Sequence, residues 1–253
     1  MSSSEILTIA TWYHHSGYKT FKSYYEKHVL VHMRNEFPNL VSYNRFLELR
    51  SKLVVLSSAL SNLSTQQLCD GISFIDSFPL AISHQKRISS HKGFKNIAQR
   101  GKTSTGWFYG FKLHVVINRK GEIIASTITA GNVSDNNGKV IDKLTQKIYG
   151  KVYGDKGYLL NKKMFEKLYL NGIHIITKIR SNMKNKLMDL QDKLMLKKRG
   201  LIESVGSILK EFLSLEHSRH RSFTGFLSHV FSTIAAYFFK PKKPSIPSLI
   251  EIA

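Results

Sequence analysis

The pattern of hydrophobic and polar positions changes character near residue 70. Before that point no strand-like alternation occurs, and apolar residues are scattered among polar ones as in amphipathic helices, for example at Leu7, Ile9, Phe46, Leu53 and Leu56. Ser4 and Ser42 are predicted helix N-caps, and Pro38 separates the aromatic-rich helical stretch 18–37 from the next helix. The pattern therefore predicts a small helical unit over residues 1–66.

After Asp70-Gly71 the pattern becomes typical of a sheet. Residues 71–76 alternate as a half-buried strand does, and two apolar, β-branched segments, 107–117 and 122–129, flank the turn 118–121. The elements predicted next are a helix opened by Asp135 and ended by Gly150, a strand over 152–155, a helix over 162–170, a strand over 173–178 and a basic helix around Glu203.

The resulting order, β-β-β-α-β-α-β, predicts an α/β fold. Three antiparallel strands followed by α-β-α-β form a mixed sheet with flanking helices, an order that is found in the ribonuclease-H-like fold. The predicted catalytic domain spans 67–240, and 241–253 forms a basic, proline-containing tail.

An uncharged run, 222–239, is long enough to be tested as a membrane span. Its apolar residues recur at helical spacing with polar residues largely between them, which indicates a core-packing helix with one buried stripe. No membrane partner is expected, and the N-terminus lacks the pattern of a secretory signal.

The composition of the chain predicts a polyanionic partner. The 253 residues carry 38 Lys and Arg against 17 Asp and Glu, a formal charge of +21 that favours nucleic acid, with membrane surfaces and ribosomal RNA as competitors. Cys69 is the only cysteine, which excludes an internal disulfide and a cysteine-rich zinc site and indicates a reducing compartment.

Three carboxylates stand out in so basic a chain. Asp76 is predicted to end the first strand, Asp155 the fourth, and Glu203 to lie within a helix. If the first and fourth strands are neighbours, the three acids converge, and Mg²⁺ would relieve their repulsion while binding phosphate oxygens. Asp135 and Asp142 compete for the second position, with a helix cap and a solvated helix face as their simpler explanations.

Cations accompany these acids. On an ideal helix Arg199, Glu203 and Lys210 project to one side, where the cations could clamp phosphates; an ordinary i, i+4 surface ion pair is the alternative. The segment from Ser77 to Gly121 has no acidic residue and is predicted to contain a long cationic loop that holds DNA, with contacts from Lys86, Arg87, Arg100 and Lys102. Trp107 to Tyr109 and His114 are expected to pack within the sheet.

Several sequence blocks resemble bacterial insertion-sequence transposases with a DDE catalytic domain. The blocks are Ile75-Asp76-Ser77-Phe78-Pro79-Leu80, His84-Gln85-Lys86-Arg87, 97–102 (IAQRGK), 106–114 (GWFYGFKLH), 130–135 (AGNVSD), Gly154-Asp155-Lys156-Gly157-Tyr158, and Arg199 with Ile202-Glu203. The resemblance as a whole runs over about residues 4–248, and the combination of blocks is specific although no single block is.

This resemblance implies a metal-dependent enzyme that acts on double-stranded DNA. It implies magnesium, as two ions with Mn²⁺ as an alternative, cleavage at terminal inverted repeats, strand transfer into target DNA, and a homo-oligomer, expected to be a dimer on DNA, in the bacterial cytoplasm at the nucleoid. Two departures matter: Leu196 stands where a related signature has Tyr, and relatives usually carry residues before the segment matching Ser4. The alternative is therefore a shortened, inactive remnant that only binds DNA.

Overall fold

The computed structural model describes residues 1–63, 69–89, 92–103, 106–178, 187–216 and 220–247. The chain forms two compact units, each assembled from separate segments. Unit 1 contains residues 1–64, 81–98 and 207–241, and unit 2 contains 65–80, 99–206 and 242–253. Two segments of the predicted catalytic domain, 81–98 and 207–240, thus belong to the same unit as the N-terminal helices. The bounds 67–240 of a catalytic domain remain a prediction.

Unit 1 is helical, as the sequence predicts for residues 1–66. Numbered in chain order, its helices are α1 (Ser3–Trp12), α2 (Phe21–Tyr24), α3 (Leu30–His32), α4 (Tyr43–Lys52), α5 (Val54–Leu63) and, after four helices of unit 2, α10 (Phe223–Phe239). A π-helical turn, Tyr25–Val29, joins α2 to α3. Ser42 caps α4 as predicted. The prediction that Ser4 caps the first helix is wrong, because Ser2 forms a capping box with Glu5.

The core of unit 1 is aromatic, and the last helix packs against the helices around it. Tyr24, Tyr25 and Phe46 are fully buried in one cluster with Ile9 and Val29. Helix α10 packs against α1, α4 and α5. Unit 1 is therefore assembled from segments that lie far apart in sequence.

Helix α10 begins and ends where the sequence predicts, with Ser222 as its N-cap. The prediction of a single buried stripe is wrong, because the intervening polar residues Ser228, His229, Ser232 and Thr233 are buried as well. The hydroxyls of Ser232 and Thr233 donate to the carbonyls of Ser228 and His229, four residues earlier, so their burial leaves no polar atom unsatisfied. Among the described residues no helix is long and apolar enough to cross a membrane.

Unit 2 is built around a mixed sheet, which confirms the predicted mixed α/β class. Its strands are β1 (Ile72–Ser83), which runs on into unit 1, β2 (Gln99–Thr103), β3 (Gly106–Asn118), β4 (Ile123–Ala130), β5 (Gly150–Gly154) and β6 (Ile173–Thr177). The order is β2-β3-β1-β5-β6, with β4 also paired to β3. Strands β2 and β4 are antiparallel to β3, whereas β5 is parallel to both of its neighbours, β1 and β6.

Two sequence predictions for this region need correction. Strand β1 continues to Ser83, so Asp76 lies within the strand and does not end it. The predicted long cationic loop is shorter, because it contains 3₁₀ turns at Gln85–Arg87 and Lys92–Phe94 and the additional strand β2. Strand β2 consists of polar residues and glycine, so hydrophobic periodicity could not reveal it.

The helices of unit 2 follow the predicted order. They are α6 (Gly138–Thr145), α7 (Lys162–Leu170), α8 (Leu190–Lys197) and α9 (Gly200–Ser207). Helix α7 has the predicted bounds. The prediction that Asp135 opens α6 is wrong. Asn137 is the N-cap, and its side chain accepts from the amides of Lys139 and Val140.

The two faces of the sheet carry different chemistry. Ile75 of β1 and Val152 of β5 belong to an apolar core with residues of α6 and α7. Because side chains alternate along a strand, Phe74 and Asp76 point to the opposite face. On that face the Asp192 carboxylate of α8 accepts from Lys151 Nζ (2.7 Å) and the Tyr153 hydroxyl (2.8 Å) of β5. These bonds hold α8 to the face that carries Asp76.

Candidate active site

Two of the predicted acids lie side by side at the centre of the sheet. Strands β1 and β5 are parallel neighbours, with Phe74 paired to Tyr153. Continuing this register by two residues places Asp76 opposite Asp155, which directly follows β5, at the ~4.8 Å spacing of adjacent strands. The predicted neighbourhood of the first and fourth predicted strands is therefore confirmed.

Asp155 is held by the turn that follows it. Its Oδ1 accepts from the amide of Gly157 at 2.7 Å and caps the 3₁₀ turn Lys156–Tyr158. A β-carbon at Gly157 would lie 2.9 Å from Asp155 Oδ1 and 3.3 Å from Asp135 Oδ2. A side chain at position 157 would therefore crowd these two carboxylates and shift them.

Arg199 links Asp76 to Glu203. Its Nη1 donates to Asp76 Oδ2 at 3.1 Å and its Nη2 to Glu203 Oε1 at 3.0 Å. Arg199 lies in the turn between α8 and α9, so the prediction that it shares a helix with Glu203 is wrong, although the predicted contact between them exists. The side chain of Arg199 is mostly buried, whereas that of Glu203 is 62% exposed.

The electrostatic environment of Asp76 favours a bound cation. Burial raises the pKa of Asp76 to about 6, the Arg199 guanidinium and the Ser77 amide oppose this rise, and the charges of Asp155 and Asp135 add to it. An ionised Asp76 is therefore costly in this setting unless positive charge is close.

Asp135 belongs to the same acidic cluster, which sequence reasoning had only offered as an alternative. Its Oδ1 accepts from the Ser77 hydroxyl at 2.8 Å and from Lys112 Nζ at 3.1 Å. Lys112 Nζ also donates to the Val133 carbonyl at 3.0 Å. The competing acid Asp142 forms only an exposed pair with Lys167, as its simpler explanation predicts.

His114 is a core histidine, as predicted. It is fully buried, and its Nε2 lies 2.9 Å from the Thr129 hydroxyl. Burial lowers the pKa of His114 to about 4, against the opposing effect of Asp135. Its Nδ1 lies 4.0 Å from Asp135 Oδ1, so His114 forms part of the wall behind the acidic cluster.

The donor chemistry of this cluster fits a divalent cation in part. Asp76, Asp155 and Asp135 supply hard carboxylate oxygens close enough to influence one another, which suits Mg²⁺. Within the described ranges, however, no group of three or more acidic, histidine or cysteine side chains is arranged to hold a metal ion. Asp76 and Glu203 instead share the Arg199 guanidinium as their partner.

The predicted DNA-contacting cations divide between the two units. Arg100 and Lys102 are exposed on β2 in unit 2. Lys86 and Arg87 are exposed in a 3₁₀ turn of unit 1. Lys210, also in unit 1, lies in the π-helical turn Ile208–Phe212, and its Nζ pairs with Glu216 Oε1 at 2.6 Å. A π-helical turn changes the angle per residue, so the predicted alignment of Lys210 with Arg199 and Glu203 does not follow from an ideal helix.

Comparison with protein families decides the affiliation of the chain. The model of the transposase DDE domain matches residues 66–223, more than half of the sequence. The chain belongs to the DDE transposase family. The resemblance predicted from the sequence blocks is thereby confirmed. No curated protein matches the chain.

The acidic cluster of this transposase lies within the region that matches the family. The matched residues include Asp76, Asp135, Asp155, Arg199 and Glu203. DDE transposases act on DNA and generally use divalent metal ions. A cluster of carboxylates that is incompletely neutralised by the protein agrees with this general requirement.

Proposed function

We propose that this transposase cuts DNA at the terminal inverted repeats of an insertion sequence and joins the ends to target DNA. The proposal is carried by one observation: in a DDE transposase domain, Asp76 lies on β1 and Asp155 directly follows the adjacent parallel strand β5, with Asp135 and Arg199 near Asp76. The arrangement is compatible with a ribonuclease-H-like catalytic core, for which we propose the bounds 67–240.

Asp76, Asp155 and Glu203 are the proposed ligands of two Mg²⁺ ions. When bound, such ions activate the attacking oxygen and stabilise the leaving oxygen of a phosphodiester. Asp76 and Asp155 are already placed on one side of the sheet. Glu203 is largely exposed on α9, and it would hold the ion in place of its contact with Arg199.

Arg199 has two roles in this scheme. Without metal, its guanidinium neutralises Asp76 and Glu203. With metal, the same guanidinium turns to the substrate, where its planar set of donors suits a phosphate. Lys86, Arg87, Arg100, Lys102 and Lys210 are the further proposed phosphate contacts. The protein is proposed to act as a dimer on DNA, in the cytoplasm at the nucleoid.

The test uses purified protein, a labelled duplex from the flanking inverted repeat, and parallel reactions with and without Mg²⁺. We expect Mg²⁺-dependent nicking by the parent protein and its loss in Asp155→Asn. DNA binding by Asp155→Asn stays equal or becomes tighter, because the variant removes negative charge. Asp142→Asn is the matched control, since Asp142 is an exposed acid outside the cluster. A second reaction with a 3′-hydroxyl end and a target plasmid measures strand joining.

Three outcomes separate the alternatives. Equal nicking by Asp155→Asn and the parent removes Asp155 from the mechanism. Nicking without joining indicates a nuclease. Binding by the parent without either reaction indicates an inactive remnant.

A further inference from the structure

Strands β2 and β3 present an aromatic and cationic surface. Lys102 pairs directly with Trp107, and Arg100 with Tyr109, across the antiparallel strands. Directly opposed residues share a face, and so do residues two apart along one strand. Arg100, Lys102, Trp107 and Tyr109 therefore lie on one face of the hairpin, called here the Trp107 face.

The opposite face of the hairpin is occupied by the protein. A β-carbon at Gly101 would lie 2.2 Å from the Gly131 carbonyl oxygen and 2.6 Å from the Phe108 ring. One at Gly131 would lie 2.7 Å from the Gln99 carbonyl oxygen. Because Gly101 and Phe108 pack against the turn after β4, the direction of the Trp107 face is fixed.

The prediction that Trp107 packs within the sheet is wrong. Its side chain is 58% exposed, whereas Tyr109 on the same face is 7% exposed. Lys102 Nζ lies 5.7 Å from the centroid of the Trp107 ring. Arg100 and Lys102 are themselves exposed. An exposed indole beside two exposed cations suits a ligand that has both a flat ring and negative charge.

We propose that the Trp107 face binds an unpaired stretch of DNA, with the indole stacked on a base and Arg100 and Lys102 on the adjoining phosphates. Bases of an intact duplex stack on one another and offer only their edges, so an indole on a flat sheet face requires an unpaired base. The absence of acidic residues from Ser77 to Gly121 makes the approach of a phosphate chain favourable along this segment. The proposal rests on the proposed function and extends it by assigning this face to DNA that is unpaired next to the cutting site.

The chain offers a direct spectroscopic test, because it has two tryptophans, Trp12 in unit 1 and Trp107 in unit 2. In Trp12→Phe all tryptophan fluorescence comes from Trp107, and in Trp107→Phe it comes from Trp12. We expect a thymidine oligonucleotide to quench the emission of Trp12→Phe and not that of Trp107→Phe. A duplex of equal length should quench Trp12→Phe much less.

Affinity gives a second readout. Trp107→Ala should weaken binding of the single strand by about 5- to 150-fold, the range expected for loss of one stacking contact of ~1–3 kcal/mol. Its duplex affinity should stay that of the parent, and Trp107→Phe should fall between the two. Lys102→Gln should reduce the slope of log affinity against log salt by about 0.7, the value for one phosphate of a single strand.

All binding measurements are made without metal, so they do not depend on catalysis. If nicking fails while the quenching pattern holds, the proposed function is wrong and the binding face stands. Equal quenching by duplex and single strand, or equal affinity of Trp107→Ala and parent with unchanged thermal stability, overturns the assignment to unpaired DNA. Tighter binding of a uridine oligoribonucleotide than of the thymidine strand overturns the choice of DNA.

Discussion

Single residues in the acidic cluster are governed by the cost of burying charge. Asp135 has 25% of its side chain exposed and Lys112 has 11%, and each supplies the other's counter-charge. Removing one partner of such a pair leaves the other charge poorly solvated, whereas removing both relieves that cost. Substitutions at Asp135 should therefore behave differently from those at surface acids.

We expect Asp135→Asn to lower the free energy of unfolding by about 1–3 kcal/mol, because the Lys112 ammonium loses its counter-charge. Nicking should fall by about 10- to 100-fold, the usual effect of losing a group that orients metal ligands. The measurements are urea denaturation and nicking of the inverted repeat. Asp142→Asn, which affects an exposed pair, should change stability by less than ~1 kcal/mol.

The double variant Lys112→Met/Asp135→Asn provides the control for this interpretation. Its stability should exceed that of Asp135→Asn alone, because no buried charge then lacks a partner. If the two variants are equally unstable, the Lys112–Asp135 pair is not the cause of the loss.

The sequence identified the type of residue more reliably than its partner. Asp76, Asp155 and Glu203 could be selected because acids are rare in this chain and the sequence predicts these three at strand ends or on a basic helix. The network of Ser77, Lys112 and Asp135 joins positions 58 and 23 residues apart, and no local periodicity reports such contacts. Asp135 was instead assigned to a nearby helix cap, a role that Asn137 fills.

At the scale of elements, close packing of α9 against β1 sets the position of Glu203. A β-carbon at Gly206 would lie 2.4 Å from Cε1 of the Phe78 ring. Phe78 is two residues beyond Asp76 on the same face of β1, and Gly206 is three residues beyond Glu203 on α9. The contact between glycine and ring therefore determines how near the helix lies to the strand.

We expect Gly206→Ala to destabilise the protein by about 1–3 kcal/mol through overpacking, despite the higher helix propensity of alanine. Nicking should decrease as well, because displacement of α9 moves Glu203. Gly200→Ala is the matched control on the same helix: a β-carbon there meets nothing within 4 Å, so it should leave stability unchanged or slightly raised. Thermal unfolding and nicking assays measure both variants, and equal behaviour of the two would contradict the packing argument.

Most elements could be predicted from periodicity because their apolar residues face one core. Helix α7 and the β3–β4 hairpin follow this rule. Strand β2 and the buried polar residues of α10 do not follow this rule, because hydrogen bonds and not apolar contacts determine their positions. The exposure of Trp107 also escaped prediction, because an aromatic residue in a strand has the same local pattern whether or not its face is covered.

At the scale of the whole molecule, acid should weaken the protein through unit 1. His14, His220 and His229 form a ring cluster, with centroid distances of 4.9 Å and 4.8 Å to His229. Burial lowers the pKa of His220 to about 2 and that of His229 to about 3, and it also lowers the pKa of His14. Neighbouring positive charge adds to each effect, and Arg50 acts on all three.

The sign of the pH dependence follows from proton binding. Below pH 6.5 the unfolded chain protonates these histidines while the folded chain keeps them neutral, so stability falls as pH falls. Each histidine contributes about 1.4 kcal/mol per pH unit once the unfolded form is protonated. Together the three histidines should contribute a loss of about 3–4 kcal/mol between pH 6 and pH 5. Asp76, whose pKa is raised to about 6, works in the opposite direction. Between pH 6 and pH 4 the folded chain binds up to about one more proton at Asp76 than the unfolded chain does, which offsets the effect of about one histidine.

Urea denaturation at pH 7, 6 and 5 measures this slope. His229→Gln should reduce it by about a third, because glutamine keeps a donor and does not titrate. His32→Gln is the control, since His32 is exposed and its substitution should leave the slope unchanged. A parent protein with the same stability at pH 7 and pH 5 would falsify the assignment.

The late position of α10 in the sequence affects how unit 1 folds while the chain is being synthesised. A ribosome synthesises α1, α4 and α5 first, but α10, which packs against all three, is complete only at residue 239. Until then the early helices lack this packing, and a translation stop between residues 207 and 222 leaves them without it permanently. Nascent chains of that length should therefore depend on chaperones more than the finished protein does.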